Sequence, residues 1–231
     1  MITTILWDVD GTLLDFHSAE RNAMRACFTV FGLGELTDGM LGEYSAINAS
    51  YWRRLERGEL TREQTLRGRF LEFFSAHGLP TDRIDAFNEE YQHRLGDTVV
   101  FNDGADALVR ELRGRVRQYA VTNGTLTAQR KKLAKSGLDR WLDGAFISEQ
   151  VGSEKPSPAF FDAVFAAIPP CPRDEALIVG DSLTSDIRGG NNAGILCCWY
   201  APAGGTAPEE LKIDYTIRNL NEVERIVDGR V

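Results

Sequence analysis

Apolar residues follow two different patterns along the chain. In residues 1–15 and 97–231, short apolar runs alternate with stretches that are apolar on one side only. The runs predict buried strands and are "ILW" (5–7), "QYAVT" (118–122), "AFIS" (145–148), "ALIVG" (176–180), "ILCCWY" (195–200) and "DYTI" (214–217). Between them, helical spacing relates Ala105, Leu108, Val109 and Leu112, and again Phe160, Phe161, Val164, Phe165 and Ile168. This alternation predicts an α/β fold with a Rossmann-like parallel sheet between helices.

Residues 16–96 have a different pattern and predict an all-helical insert. They contain no convincing strand, and glycines at Gly58 and Gly78 separate helical stretches, of which there are four. Two apolar stripes have helical spacing: Leu41, Tyr44, Tyr51 and Leu55, then Leu66, Phe70, Phe73 and Phe74. About 80 residues are too many for a strand-to-helix loop. We therefore expect a discontinuous catalytic core, 1–15 with 97–231, and a helical cap domain, 16–96.

Charge and hydropathy narrow the classes of function. The chain has 26 basic and 34 acidic residues, a net charge of −8, which argues against a nucleic-acid polymer as partner. No apolar stretch approaches the roughly 20 residues that span a bilayer, so no membrane is expected. The first strand begins almost at Met1, which argues against a cleaved signal peptide, and the four cysteines have no metal-ligand spacing. We expect a cytoplasmic protein.

Polar side chains follow four of the predicted strands. They are Asp8 and Asp10 after the first, Thr122 and Asn123 after the second, Lys155 in the loop that follows "AFIS", and Asp181 and Asp186 after "ALIVG". Ligands of open α/β sheets bind beyond the carboxyl ends of the strands. Each residue alone has an ordinary explanation as a turn or surface group. Together they predict one site at that edge of the sheet, and Thr125 is placed to cap the following helix, 126–136.

This set of residue types suits phosphoryl transfer. A carboxylate that attacks a phosphate dianion is repelled by it, and a cation on each side would offset that repulsion. We expect Mg²⁺ between Asp8 and Asp181, with Lys155 opposite. Asp8 would then be the nucleophile, and Asp10 would protonate the leaving oxygen and afterwards deprotonate a water molecule.

Four segments resemble the motifs of the haloacid dehalogenase (HAD) superfamily: "DVDGTLLD", "VTNG", "SEKPSP" and "GDSLTSDIRGGNNAG". The resemblance covers essentially the whole chain, and the helical insert is similar to the C1-type cap of that superfamily. It implies that Asp8 is the nucleophile and Asp10 the acid/base, and that Thr122, Asn123 and Lys155 bind the phosphate. It also implies Mg²⁺ on Asp8, the Asp10 carbonyl and Asp181, with Asp186 in or near the second shell of ligands. The founding dehalogenases lack the second aspartate of the first motif, so Asp10 favours phosphate esters as substrates.

The cap segment "INASYWRRLERGELTREQTLRGRF" (47–70) resembles the house-cleaning pyrimidine 5′-nucleotidases of this superfamily. The resemblance implies substrate contacts by Asn48 and Trp52. A base would stack on an aromatic ring, with Tyr44, Tyr51 and Trp52 as candidates, while the amide of Asn48 binds its edge. The competing interpretation places Tyr51 and Trp52 in the core of the cap, where we also expect Phe70.

The function expected from these features is Mg²⁺-dependent hydrolysis of a phosphomonoester through an aspartyl phosphate. The expected partner is a small phosphate ester, a nucleoside monophosphate with a pyrimidine base, and the expected state is a monomer or homodimer. These features leave three alternatives open. They are a phosphatase of another small ester, such as phosphoglycolate or a sugar phosphate, a phosphomutase, and a catalytically silent binding module.

Overall fold

A computed structural model of the chain describes residues 1–230. The chain forms two compact units. One consists of Met1–Phe16 together with the chain from Val99 onward, and the other is the insert His17–Thr98. In the described part of the chain, no helix combines the length and the apolar character that a membrane span requires.

The first unit is built on a sheet of six parallel strands. The strands are β1 (Thr4–Trp7), β2 (Arg117–Thr122), β3 (Gly144–Ile147), β4 (Ala176–Gly180), β5 (Leu196–Tyr200) and β6 (Tyr215–Ile217). Their order across the sheet is β3-β2-β1-β4-β5-β6, and every neighbouring pair is parallel. The strand order reverses next to β1, and in parallel sheets this position is where ligands bind. The predicted α/β fold with a parallel sheet is confirmed.

Helices on both sides of the sheet bury its two faces. They are α5 (Ala105–Leu112), α6 (Leu126–Ser136), α7 (Leu138–Trp141), α8 (Ser148–Val151), α9 (Pro158–Ala167), α10 (Arg188–Ala193) and α11 (Glu222–Val227). Successive residues of β1 show why both faces are apolar. Ile5 and Trp7 pack into one buried cluster and Leu6 into the other, all without solvent exposure. The strands are therefore continuous apolar runs in the sequence.

The insert consists of helices α1 to α4. Helix α1 begins one residue before the insert, at the end of the N-terminal segment of the first unit. Their bounds are α1 (Phe16–Phe31), α2 (Asp38–Glu56), α3 (Arg62–Ala76) and α4 (Ile84–Leu95). An aromatic cluster fills the space between them: Phe28, Tyr44, Phe70, Phe73, Phe74, Phe87 and Tyr91. Tyr44 stacks on Phe70 with ring centroids 5.2 Å apart. The predicted placement of Phe70 in the cap core is confirmed.

Candidate active site

The turn after β1 presents two aspartates. Asp8 follows β1 directly, and its N–H donates to the carbonyl oxygen of Val179 at 2.9 Å, which extends the pairing of β1 with β4. Gly11 then turns the chain at φ +93°, a conformation that side chains with a Cβ rarely adopt. A Cβ at Gly11 would also lie 2.8 Å from Asp181 Oδ2. Only glycine allows this turn to pass so close to Asp181.

Lys155 is a buried cation between two carboxylates. Its Nζ donates to Asp8 Oδ1 at 2.8 Å and to Asp186 Oδ1 at 2.6 Å. A third hydrogen bond, of 2.7 Å, reaches the carbonyl oxygen of Val121 in β2. All three donors of the ammonium are thus used, which compensates for its burial at 1% exposure. A fixed positive charge therefore lies beside Asp8.

Asn123 holds the main chain of Lys155. Its Oδ1 accepts from the Lys155 N–H, and its Nδ2 donates to the Lys155 carbonyl oxygen, both at 2.8 Å. Thr122 is buried at the end of β2, and its hydroxyl oxygen accepts from the Gly124 N–H at 3.2 Å. The structure thus gives Asn123 a positioning task, while substrate binding by Thr122 and Asn123 stays a prediction.

Two further aspartates follow β4. Asp181 and Thr12 pair twice: the Thr12 hydroxyl donates to Asp181 Oδ1 at 3.1 Å and accepts from the Asp181 N–H at 3.0 Å. Asp186 is fully buried, and its Oδ2 accepts from the Ser182 N–H at 3.0 Å. A Cβ at Gly180 would lie 2.2 Å from Asp186 Oδ2. The glycine that ends β4 therefore makes room for a buried carboxylate.

Asp8, Asp181 and Asp186 each offer a carboxylate oxygen within 4.8 Å of the other two. All three donors are hard oxygen atoms, the type that Mg²⁺ prefers. Three carboxylates face one ammonium, Lys155, so the group carries excess negative charge that a divalent cation would offset. The residues therefore fit Mg²⁺. The side chain of Asp10 is outside this group, which leaves only its predicted carbonyl as a ligand.

Burial and mutual repulsion alter the ionisation of these aspartates. Burial raises the pKa of Asp8 well above its ordinary value, and the negative charges of Asp186 and Asp181 add to this, while Lys155 acts in the opposite direction. Asp181 stays partly open to solvent, yet the surrounding protein atoms and the charge of Asp186 raise its pKa to about 6. Attraction by Asp186 and Asp8 outweighs burial at Lys155 and raises its pKa.

Both carboxylate oxygens of Asp10 are bound by helix α6. Gln129 Nε2 donates to Asp10 Oδ2 at 2.6 Å, and Lys132 Nζ forms an ion pair with Asp10 Oδ1. Sequence reasoning missed both contacts. A signal was available in the sequence, because Lys132 and Gln129 each lie one helical turn, four residues, from an apolar residue of α6, Ala128 and Leu133 respectively. Long polar residues on an apolar stripe indicate a buried partner.

In the insert, Asn48 belongs to a buried polar chain. Its Nδ2 donates to Glu20 Oε1 at 2.8 Å, and its Oδ1 accepts from Arg69 Nη1 at 2.7 Å. The contacts of Asn48 with Glu20 and Arg69 were not predicted, although Arg69 lies in the cap segment that carries the resemblance. Trp52 is half-buried, whereas Tyr44 is fully buried in the aromatic cluster. The expectation that Tyr44 is a candidate for stacking on a base is therefore wrong, because its ring is already stacked on Phe70.

Comparison with known proteins shows the family. The model of the haloacid dehalogenase-like hydrolases matches residues 2–194. The chain belongs to this family. It is 36% identical over 225 residues to the HAD hydrolase YfnB of Bacillus subtilis, which covers 97% of this chain and 95% of YfnB. A crystal structure of YfnB bound to magnesium has a TM-score of 0.91 and covers 98% of this chain and 99% of that one.

Two similar relatives are pyrimidine 5′-nucleotidases. PynA of Streptococcus pneumoniae is 35% identical over 199 residues, which are 86% of this chain and 83% of PynA. YjjG of Escherichia coli is 29% identical over 223 residues, 96% of each chain. These matches confirm the predicted family and the resemblance to the pyrimidine 5′-nucleotidase subgroup. They also confirm the prediction that the chain is a hydrolase of this superfamily.

Proposed function

We propose that this protein is a Mg²⁺-dependent 5′-nucleotidase that hydrolyses pyrimidine nucleoside monophosphates through an aspartyl phosphate. The observation that carries the proposal is the group of charged side chains at the end of β1. Lys155 touches Asp8 at 2.8 Å, and Asp181 and Asp186 offer oxygen ligands beside it. Such a group combines a nucleophile with the positive charge that a phosphate requires.

Asp8 and Asp10 divide the chemical work. Asp8 attacks the phosphorus atom, the bond from phosphorus to the ester oxygen breaks, and the Asp8 carboxylate then carries the phosphoryl group as an acyl phosphate. Asp10 gives a proton to the leaving oxygen and afterwards takes one from the water that releases phosphate. Lys155 offsets the negative charge of the phosphoryl group and keeps the Asp8 carboxylate in place through its hydrogen bond. Thr122 and Asn123 bind phosphate oxygens from the end of β2.

Asp8, Asp181 and the main-chain carbonyl of Asp10 would hold Mg²⁺, with Asp186 beside them. The ion supplies Lewis-acid polarisation of the phosphoryl group and neutralises charge during the attack. Support comes from the all-oxygen donor set and from the magnesium in the YfnB structure.

The preference for pyrimidines rests on the relatives and on the insert. PynA and YjjG are both pyrimidine 5′-nucleotidases. In the insert, Trp52 is only half-buried, so part of the residue stays accessible. Asn48 is buried, and both ends of its amide are already bound, by Glu20 and by Arg69, so the expected hydrogen bond from this amide to the base has no support in its contacts. We assign base recognition to Trp52, and we expect cytoplasmic location and a monomer or homodimer.

Steady-state kinetics with Mg²⁺ on UMP, dTMP, AMP, phosphoglycolate and glucose 6-phosphate test this proposal. We expect the highest kcat/KM for UMP and dTMP, by about ten- to hundredfold if one stacking contact discriminates. Trp52→Ala should reduce this ratio and leave kcat on p-nitrophenyl phosphate unchanged. Leu71→Ala, at another partly exposed position of the insert, is the matched control.

A kcat/KM for phosphoglycolate or glucose 6-phosphate equal to that for UMP would refute the nucleotidase assignment and leave a phosphatase of another ester. No turnover of any ester in the presence of Mg²⁺ would refute the enzymatic proposal altogether.

A further inference from the structure

Two buried polar side chains of helix α6 bind one carboxylate, that of Asp10. Gln129 and Lys132 are each 1% exposed, and both donate to Asp10, one to each oxygen. Rotation about the last bond of an aspartate is ordinarily only weakly restricted. Donors on both oxygens restrict it, because any large rotation would break one or both contacts. Asp10 therefore has a defined orientation in the structure.

The surroundings are shaped to permit these contacts. A Cβ at Gly124 would lie 2.1 Å from Gln129 Nε2, so only glycine leaves space for the amide. The ammonium of Lys132 lies over the ring of Phe16, 5.3 Å from its centroid. The Asp10 side chain keeps 21% of its surface exposed, so part of it stays accessible to a reacting group.

Folding alone does not account for this arrangement. Burying an ammonium group has a cost in stability, and an apolar side chain of similar volume would fill the same space without it. The Oε1 atom of Gln129 is buried with no hydrogen-bond partner, which is a second cost. Local violations of packing rules that converge on one side chain are typical of functional sites.

We propose that Lys132 and Gln129 are positioning residues that hold Asp10 for proton transfer, an inference that rests on the acid/base role of Asp10 in the proposed function. In the first step, the Asp10 proton moves to the ester oxygen while the bond from that oxygen to phosphorus breaks and the Asp8–phosphorus bond forms. In the second, a water oxygen bonds to phosphorus, the Asp8–phosphorus bond breaks, and the water proton moves to Asp10. Asp10 ends as it began.

Leaving-group dependence separates this task from a structural one. The alkoxide of a nucleotide needs a proton, whereas p-nitrophenolate departs as a stable anion. For Lys132→Met we expect kcat on UMP to fall about 10- to 100-fold, within the range of general acid–base effects. KM should change less than about threefold. The pre-steady-state burst of p-nitrophenolate from p-nitrophenyl phosphate should keep its rate to within about threefold, since phosphoryl transfer to Asp8 then needs no acid.

Two comparisons make the test decisive. Lys135→Met, on the exposed side of α6, should match the parent protein on both substrates. In an Asp10→Asn background, adding Lys132→Met should cause no further loss, because Lys132 acts only through Asp10. Gln129→Met should show the same pattern, and it replaces Lys132→Met if that variant does not fold by circular dichroism.

The outcomes distinguish the inference from the proposed function. If Asp10→Asn slows UMP and the p-nitrophenolate burst equally, the acid role of Asp10 fails, and the proposed mechanism fails with it. If Asp10→Asn is selective but the α6 variants are not, only the positioning inference is overturned. Losses that add in the double variant would also overturn it.

Discussion

Replacing Asp8 by Asn should abolish turnover and at the same time stabilise the metal-free protein. The amide is nearly the same size as the carboxylate but cannot attack phosphorus. The Lys155 ammonium stays paired with Asp186 at 2.6 Å after the change. The variant should therefore fold normally, and the raised pKa of Asp8 indicates that its site disfavours the ionised carboxylate.

The magnitude follows from charges at known separations. Carboxylate oxygens of Asp181 and Asp186 lie within 4.8 Å of Asp8, and each costs the ionised Asp8 about 3.5 kcal/mol at an effective dielectric of 20. The Lys155 ammonium, at 2.8 Å, stabilises the ionised Asp8 by about 6 kcal/mol on the same scale. Repulsion of about 7 kcal/mol thus slightly exceeds attraction, and burial adds to it. We expect Asp8→Asn to gain about 1–2 kcal/mol, or roughly 2–8 °C in Tm for a chain of this length.

Differential scanning fluorimetry with EDTA and with excess Mg²⁺ measures this effect. Mg²⁺ should raise the Tm of the parent protein more than that of the variant. The reason is that tighter binding to the folded state adds more stability, and Asp8 is a proposed ligand of the ion. Asp82→Asn, at an exposed position, is the control and should leave both Tm values unchanged. A lower Tm for Asp8→Asn in EDTA would refute the electrostatic reasoning. More than about 1% residual kcat would refute the assignment of Asp8 as nucleophile, since loss of a nucleophile costs far more.

Three further outcomes are expected. Chelation should remove activity, and Mg²⁺ or Mn²⁺ should restore it, as followed by phosphate release; full activity after exhaustive chelation would contradict the metal site. Metal-free protein should be more stable near pH 5 than near pH 7, because a carboxyl group whose pKa is raised on folding loses its stabilising contribution as pH rises through that value, about 6 for Asp181. The Tm difference between the two pH values should shrink in Asp181→Asn, and an unchanged difference would contradict this cause. Phe70→Ala, fully buried between Tyr44 and Phe87, should cost about 3–5 kcal/mol in chemical denaturation, whereas an equal cost for the partly exposed Leu71→Ala would contradict it.

The alternation of apolar runs was enough to predict the sheet. Strand β4 coincides with "ALIVG", because a strand buried on both faces is apolar throughout. Helix α6 runs from Leu126 to Ser136 as predicted, since Thr125 caps its first turn through the Ala128 N–H. These features are local, so the sequence contains the physical information that defines them.

The motif residues were also identifiable from the sequence, because parallel strands bring their carboxyl ends to one edge. Asp8, Lys155, Asp181 and Asp186 were predicted as one group, and the structure brings their charged atoms together. The parallel arrangement of the strands is enough to place these residues at one site, without any knowledge of their side-chain contacts.

Only the tertiary structure decided how each side chain is used. Asn123 holds the main chain of Lys155, 32 residues away, and Lys132 pairs with Asp10 across 122 residues. Tyr44 and Trp52 both lie on α2, yet one is buried in the aromatic cluster and the other is half-buried. Helical spacing specifies which residues share a face, but the elements that pack against that face determine which of them stay accessible.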